Sequence, residues 1–400
     1  MTGTGSNNLR FASLFCGCGG FDLGFVQAGY YCAAAYDNDP AVIAVHRANF
    51  RSPADICDLS NGAPLGHLKG VDVLLAGPPC QGFSTAGKRD LNDPRNQLLL
   101  RAGEIALMLT PTVVIVENVT GVTKGEHKKY WNGLHGMLRG AGYQTTSLRC
   151  DVAKMGLAQR RTRMVLIAWN NGRPFRPELP TTPPATLRQA LEGLSPDAIN
   201  HDVQQLEPSS ELARIASHIR QGQKLCNVRG GPRSVHTWHI PDIFGRTTDR
   251  ERQVLEAVLR LRRRLRRRDR GDADPIGASD VRRYIGGAVA SDLQSLIRKG
   301  YIRKIGKLYD LTNTFNGKFR RLDWNSPSYT VDTRFGDPRY FLHPDQNRGF
   351  SLREAARIQG FPDDFVFSGP NRAQEIMVGN AVPPPLAQLL ATLVLEQLMR

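Results

Sequence analysis

The chain contains no run of 18 or more apolar residues, so no membrane span is expected. Residues 1–8 are small and polar and lack the basic-then-apolar pattern of a secretory leader, which makes a cytoplasmic location the default expectation. Cysteine is scarce and odd in number, seven in 400 residues, with no paired CxxC motifs and no His cluster beside them. A disulfide framework is therefore disfavoured, and no metal site is expected. Negative charge is also short: 37 acidic residues face 53 basic ones, for a net charge of +16. Such a balance favours a polyanionic partner, DNA or RNA, although an anionic membrane surface attracts it too. The charge is concentrated, with eight arginines between Arg260 and Arg270.

With 40% hydrophobic residues, the chain has enough apolar material for a sizeable core, and its length predicts two domains or one domain with an insertion. The first half alternates strand-like and helical patterns: strands at 10–15, 31–36, 71–76, 112–117 and 164–169, and helices at 22–28, 40–49, 98–109 and 130–140. Strands and helices alternating at this spacing predict a parallel α/β sheet of Rossmann-like type. Five prolines in residues 170–184 read as a linker. The alternation is lost from 185 to 320, then residues 321–400 supply a helix at 351–359 and an apolar helix at about 385–399.

Three strand ends carry candidate chemistry. Residues 15–20, Phe-Cys-Gly-Cys-Gly-Gly, sit between the first strand and helix, where glycine permits a tight turn and close approach of a ligand. The turn is not GxGxxG, because Asp22 holds the third glycine position, and the P-loop lysine pattern is absent. A donor lacking a pyrophosphate needs no full phosphate cradle. Asp37 ends the second strand, where an acid can accept hydrogen bonds from ribose hydroxyls, and Asp55-Ile56 follows the next helix as a polar-plus-apolar pair suited to an adenine ring.

Cys80 lies in Gly77-Pro78-Pro79-Cys80-Gln81-Gly82-Phe83-Ser84, directly after the third strand, on a turn stiffened by two prolines. It reads either as an exposed nucleophile or as a free thiol on a rigid loop. Glu117 ends the fourth strand, where it is either an acid kept protonated by burial or an ordinary solvated carboxylate. In Gln159-Arg160-Arg161-Thr162-Arg163, alternation places Arg161 and Arg163 on one face, as a clamp for a base carbonyl and a phosphate or as a basic edge that keeps the strand soluble.

Taken together, these segments resemble the DNA cytosine-C5 methyltransferase family. The resemblance rests on FCGCGGFDLGF (15–25), AYDNDPAVIAVHRANF (35–50), DI (55–56), GPPCQGFS (77–84), ENV (117–119) and QRRTR (159–163). It continues in SPSYTVDTR (326–334), SLREAARIQGFPDDF (351–365) and GNAVPPPLAQ (379–388), in the family's order. It implies a Rossmann-like S-adenosylmethionine-dependent fold and methyl transfer to C5 of a cytosine flipped out of double-stranded DNA. Cys80 would add to C6, Glu117 would bond N3 and the amino group, Arg163 would contact O2, and Arg161 would steady the Cys80 region. Phe15, Gly17, Gly20, Asp37, Asp55, Ile56 and Asn380 match S-adenosylmethionine-binding positions. The loop from Gln81 through Ser84 to Asn96 would close over DNA. The family's usual aromatic after the ribose-binding acid is replaced by Asn38. The resemblance further implies a monomer, with a cognate restriction endonuclease as a further partner to be sought.

Residues 185–320 match no shared block and fall where the family places target recognition. A basic helix over 246–268 carries an apolar stripe of Val254, Val258, Leu261 and Leu265, with arginines on its other faces as phosphate contacts or as a solvated surface. Helices at 280–285 and 292–299 and a hairpin around Gly306 then complete a winged-helix-like module over about 246–312. Its candidate DNA contacts are Ser295, Arg298 and Lys299 on the second helix and Arg303, Lys304 and Lys307 on the hairpin. The domain expectation is thus 1–184 catalytic, 185–320 target recognition and 321–400 returning to the catalytic part. Two competing functions remain: an RNA methyltransferase, since a branch of the family acts on transfer RNA, and a catalytically silent DNA-binding regulator, which the intact Cys80, Glu117, Arg161 and Arg163 oppose. An amino-group methyltransferase is disfavoured by the lack of a DPPY- or SPPY-like tetrapeptide.

Overall fold

The computed structural model describes residues 8–60, 65–83, 90–268 and 273–399. The chain divides into two compact units: Met1–Asp202 with Asn325–Arg334 and Ser351–Arg400, and Val203–Trp324 with Phe335–Phe350. Residues 185–202 thus fall with the first unit and 335–350 with the second, so the bounds differ from those expected at 184 and 320.

In the first unit, the chain runs β1 (Arg10–Leu14), α1 (Gly20–Gln27), β2 (Tyr31–Asp37), α2 (Pro40–Asn49), β3 (Ala54–Ile56), β4 (Val73–Ala76), α3 (Leu98–Leu109), β5 (Val113–Val119), α4 (Lys128–Gly140), β6 (Gln144–Asp151), β7 (Gln159–Arg160), β8 (Thr162–Trp169) and α5 (Leu187–Leu191). Seven strands form one sheet in the order β3-β2-β1-β4-β5-β8-β6. The sheet is mixed rather than parallel, because β8 runs antiparallel to both β5 and β6. β6 had no counterpart in the sequence reading. It is an edge strand whose residues are mostly half-exposed polar ones, so it lacks the apolar run that marked the others.

Alternation along the central strands divides the core into two layers. Leu74, Val114, Val116, Leu166 and Ala168 face one cluster with α3 and α4, whereas Val73, Leu75, Val113, Ile115, Val165 and Ile167 face the other.

The second unit contains α6 (Glu211–Ser217), β9 (Lys224–Cys226), β10 (Ser234–Val235), α7 (Pro241–Phe244), α8 (Asp249–Arg264), β11 (Ile276–Gly277), α9 (Ala278–Ile285), α10 (Ala290–Arg298), β12 (Ile302–Ile305), β13 (Leu308–Leu311), β14 (Asn316–Lys318) and β15 (Arg320–Arg321). α8 opens on a capping box in which Thr248 and Glu251 satisfy each other's backbone N–H groups. Val254, Val258 and Leu261 are buried as expected, but Leu265 is 41% exposed because the helix ends at Arg264 and the stripe ends with it. α8, α9 and α10 share a core with Ile302 of β12, and β11, β13 and β12 form a three-stranded antiparallel sheet.

β16 (Ser328–Tyr329) returns to the first unit and pairs with β7, β17 (Phe341–Leu342) pairs with β15 in the second, and α11 (Leu352–Gln359), α12 (Asn371–Asn380) and α13 (Pro384–Met399) close the first. The stretch Asn371–Leu398 is apolar and long enough for a membrane. It is nevertheless two helices, and Leu386, Ala387, Leu390, Ala391 and Val394 of α13 are fully buried in the sheet's second layer. α13 lies against α1 closely enough that a Cβ on Gly24 would come within 2.4 Å of the Gln388 nitrogen and 2.5 Å of the Pro384 oxygen. Gly24→Ala is expected to lower stability by about 1–3 kcal/mol, the usual cost of forcing apart a packed contact, as read by thermal unfolding. An unchanged midpoint would mean the two helices separate without penalty.

Candidate active site

The carboxyl ends of β1, β2, β4 and β5 open onto one cavity of about 360 Å³, a size typical of small-molecule sites. The turn after β1 is its first wall. Phe15 adopts a left-handed φ of 54°, uncommon for a non-glycine residue, and Gly17 follows at 55°. The Gly17 N–H donates to Asp37 Oδ2 at 3.0 Å, and a Cβ at Gly17 would meet nothing within 4 Å, so the turn borders open space. Asp37 also accepts from the Asp39 N–H at 3.1 Å; burial raises its pKa above the ordinary carboxylate range, against these hydrogen bonds.

Beneath this turn, Asp22 explains why the third glycine of a dinucleotide motif is missing. It is fully buried, accepting from Ser13 Oγ at 2.6 Å and lying 2.8 Å from His46 Nε2, and so pins α1 to β1 and α2. Cys16, Asp22 and His46 place their polar atoms within 4.8 Å of one another, the one grouping with metal-ligand chemistry among the described residues. Asp22 and His46 already bond each other, and burial keeps the Cys16 thiol protonated.

The turn after β4 supplies the second wall. Asn118 Nδ2 donates to the Pro78 carbonyl at 3.1 Å, tying this turn to β5. Phe83 is fully buried, with its ring edge-on to His127 and Tyr130 and its N–H donating to the Cys80 carbonyl at 3.0 Å. Cys80 is thereby held half-buried at the cavity. Burial pushes its thiol up, reinforced by Glu117 and countered by Arg163 and Arg161.

Glu117 and Arg163 are diagonal neighbours across β5 and β8, and Arg163 Nε lies 2.8 Å from Glu117 Oε1. The N–H is not aimed at that oxygen, so Oε1 is buried without a hydrogen bond. Burial raises the Glu117 pKa, with both arginines opposing.

Arg163 lines the cavity but Arg161 does not, so the two do not form the one-faced pair expected from alternation. β7 and β8 break between Arg160 and Thr162, which interrupts the pleat. Arg161 is 1% exposed and donates to the carbonyls of Val331, Gly379 and Ala381 at 2.8–3.2 Å. It thus holds the segment containing Asn380 against the cavity, where Asn380 joins Phe15, Gly17, Gly20 and Asp37 in the lining.

Asp55 and Ile56 are not in that lining; Asp55 is exposed and paired with Arg47 at 2.9 Å, and Ile56 is 54% exposed. Cys57, Asp58 and Leu59 take the place expected of them. The register of the short β3 decides this, and no motif in the sequence marks it.

Gln81 lines the cavity, and Ser84 lies outside the described residues. In the second unit, Lys299 Nζ and Ser295 Oγ both bind Glu251, at 2.7–2.8 Å, and Arg303 is 3.2 Å from Asp310. Arg298 and Lys304 are exposed and have no ion-pair partner among the described residues.

The lining suits a nucleoside donor without phosphates. Asp37, Asp39, Asp58 and Glu117 supply acceptors for hydroxyl and ammonium groups and negative potential for a sulfonium, while the lone cation of the lining, Arg163, is already matched by Glu117. A pyrophosphate would find little compensation there.

The mixed seven-stranded sheet with its strand-end cavity is a fold found in known methyltransferases. Two solved structures share it across 98% of this chain: a prophage-encoded DNA modification methyltransferase (E. coli; TM-score 0.60, 23% identity, all of that chain) and the Dnmt2 methyltransferase of S. pombe (TM-score 0.53, 16% identity, 99% of that chain). Residues 9–396 match the family described as C-5 cytosine-specific DNA methylase, and the chain belongs to that family. Similar proteins include the Type II methyltransferases M.AgeI of Thalassovita gelatinovora (28% identity, covering 96% of this chain and 98% of that protein) and M1.HphI of Haemophilus parahaemolyticus (29%, covering 97% and 87%).

Because burial holds the Cys80 thiol above its ordinary range, alkylation of Cys80 in the free protein should keep accelerating with pH beyond about 9, following the thiolate fraction. Peptide mapping after timed iodoacetamide exposure reads this. A plateau near neutral pH would mean that the free protein stabilises the thiolate.

Proposed function

We propose that this enzyme transfers a methyl group from S-adenosylmethionine to C5 of a cytosine flipped out of a specific double-stranded DNA sequence, through a covalent bond between Cys80 and C6. The observation that carries this reading is that Cys80, Glu117 and Arg163 share one cavity with Phe15, Gly17, Asp37 and Asn380. Cytosine C5 is a poor nucleophile until a thiolate adds at C6. The Cys80 thiol gives up its proton to solvent and its sulfur forms the C6 bond while the carboxyl of Glu117, whose buried Oε1 has no hydrogen-bond partner, gives a proton to N3, and the C5–C6 electron pair becomes enamine-like. When bound, S-adenosylmethionine supplies the electrophilic methyl. Loss of the C5 proton to base then expels the Cys80 thiolate and restores the aromatic ring, with Glu117 recovering its proton from N3. Arg163 orients Glu117 and reaches the base O2. Asp37 holds ribose hydroxyls, Asp58 and Leu59 flank the adenine, and Arg161 keeps Asn380 at the donor pocket.

Residues 246–312 read as a winged-helix module for DNA. Supporting this are the order α8, β11, α9, α10, β12, β13 and the pairing of β11 with β13. The enzyme would work as a cytoplasmic monomer beside a cognate restriction endonuclease.

DNA with 5-fluorocytosine at the target should give a denaturant-stable complex, since fluorine cannot leave as a proton does. Cys80→Ser should form none while still binding donor. Verified methylation with no trapped complex would refute the Cys80 adduct. Glu117→Gln should lower kcat by about 10²–10⁴-fold, with donor affinity little changed. Unaltered turnover in that variant would remove Glu117 from the chemistry.

A further inference from the structure

The second unit has a concavity of about 740 Å³ lined by Arg229, Arg260, Arg263, Arg264, Arg266 and Tyr284, with no acidic residue among the described residues of its lining. We infer that it is a phosphate-backbone site for duplex DNA, an anchor made by α8 rather than by α10 and the hairpin. This rests on the reading above that the enzyme acts on duplex DNA.

The arginines of α8 and of the segment after it are sorted by what they touch. Arg262 is buried and paired with Asp310, and Arg268 is paired with Asp274, so these two hold the fold. Arg260, Arg263 and Arg264, at i, i+3 and i+4, share the opposite, exposed face. Arg263, Arg264 and Arg229 have no carboxylate partner among the described residues.

The ordinary account of a basic last turn is that its cations offset the carbonyl end of the helix dipole. That accounts for Arg263 and Arg264, but not for two other segments converging on the same hollow. Arg229 comes from the chain after β9. Tyr284 comes from α9 and accepts a hydrogen bond from Arg260 Nη1 at 3.2 Å, fixing that guanidinium at the rim. Gathering Arg229, Arg260, Arg263 and Arg264 in one hollow costs self-repulsion, which a bound polyanion relieves. Guanidinium forks and a tyrosine hydroxyl suit phosphate oxygens. α10 offers much less charge, because Lys299 is engaged by Glu251 and, on the hairpin, Arg303 by Asp310.

The test uses the full-length enzyme and a duplex of A·T pairs only, which cannot fill a cytosine pocket. Fluorescence anisotropy would compare wild type with an Arg229→Gln, Arg263→Gln, Arg264→Gln variant, and with an Arg298→Gln, Lys304→Gln variant. The triple variant should bind the A·T duplex at least about tenfold more weakly, and its log K against log salt slope should flatten by about 2–3, near 0.9 per lost phosphate contact. On target DNA its KM should rise while kcat at saturating DNA is retained. A triple variant with unchanged slope, in an enzyme that still methylates duplex DNA, overturns the site alone; a slope altered only by the α10 and hairpin variant does the same. A wild type that binds no duplex and methylates only RNA overturns the duplex reading and the site with it.

Discussion

A single buried guanidinium joins the two ends of the catalytic unit. Arg161 lies between β7 and β8 with its N–H groups directed at three carbonyls, those of Val331, Gly379 and Ala381. Burying a cation is costly unless its donors are met, and here carbonyls more than 160 residues away in sequence meet them. Gln159 and Gln359 extend the same latch, since Gln159 Nε2 donates to the Ile358 carbonyl and Gln359 Nε2 to that of Ala381. Because of these bonds Asn380, with Ile376, Met377, Gly379, Ala381 and Val382, reaches a cavity otherwise built from the first half of the chain.

The cavity brings two environments into contact. One end is glycine, Phe15 and carboxylates, shaped for a neutral-to-cationic nucleoside. The other holds a thiol and a carboxyl that burial keeps toward their protonated forms. Arg163 and Arg161 oppose that upward shift in both groups without reversing it.

Much of this was legible in residue order. The strand-end positions of Gly17, Asp37, Cys80 and Glu117 follow from apolar runs that stop at a polar residue, and alternation along β4, β5 and β8 separates the two core layers. Less visible were features without a periodic signal. β6 is polar and at the edge, β8 runs against its neighbour, and three-residue β3 sets whether 55–56 or 58–59 face the cavity. In the second unit, the eight-arginine run read as one basic surface, yet Arg262 is an interior ion pair and Leu265 is outside the helix.

Sequence alone determined the chemistry available: one thiol on a proline-stiffened turn, one carboxyl at a strand end, a glycine turn, and their order along the chain. These depend on local backbone preference and on residue type, which neighbours in sequence supply. Tertiary structure alone decided which charges are spent and which remain. Glu251 takes Lys299, Asp310 takes Arg262 and Arg303, and Asp22 takes His46, and all but the hairpin pair Arg303–Asp310 join elements that are not consecutive in the chain. A charge's role depends on its partner and its solvent exposure, and neither exists until the chain has folded.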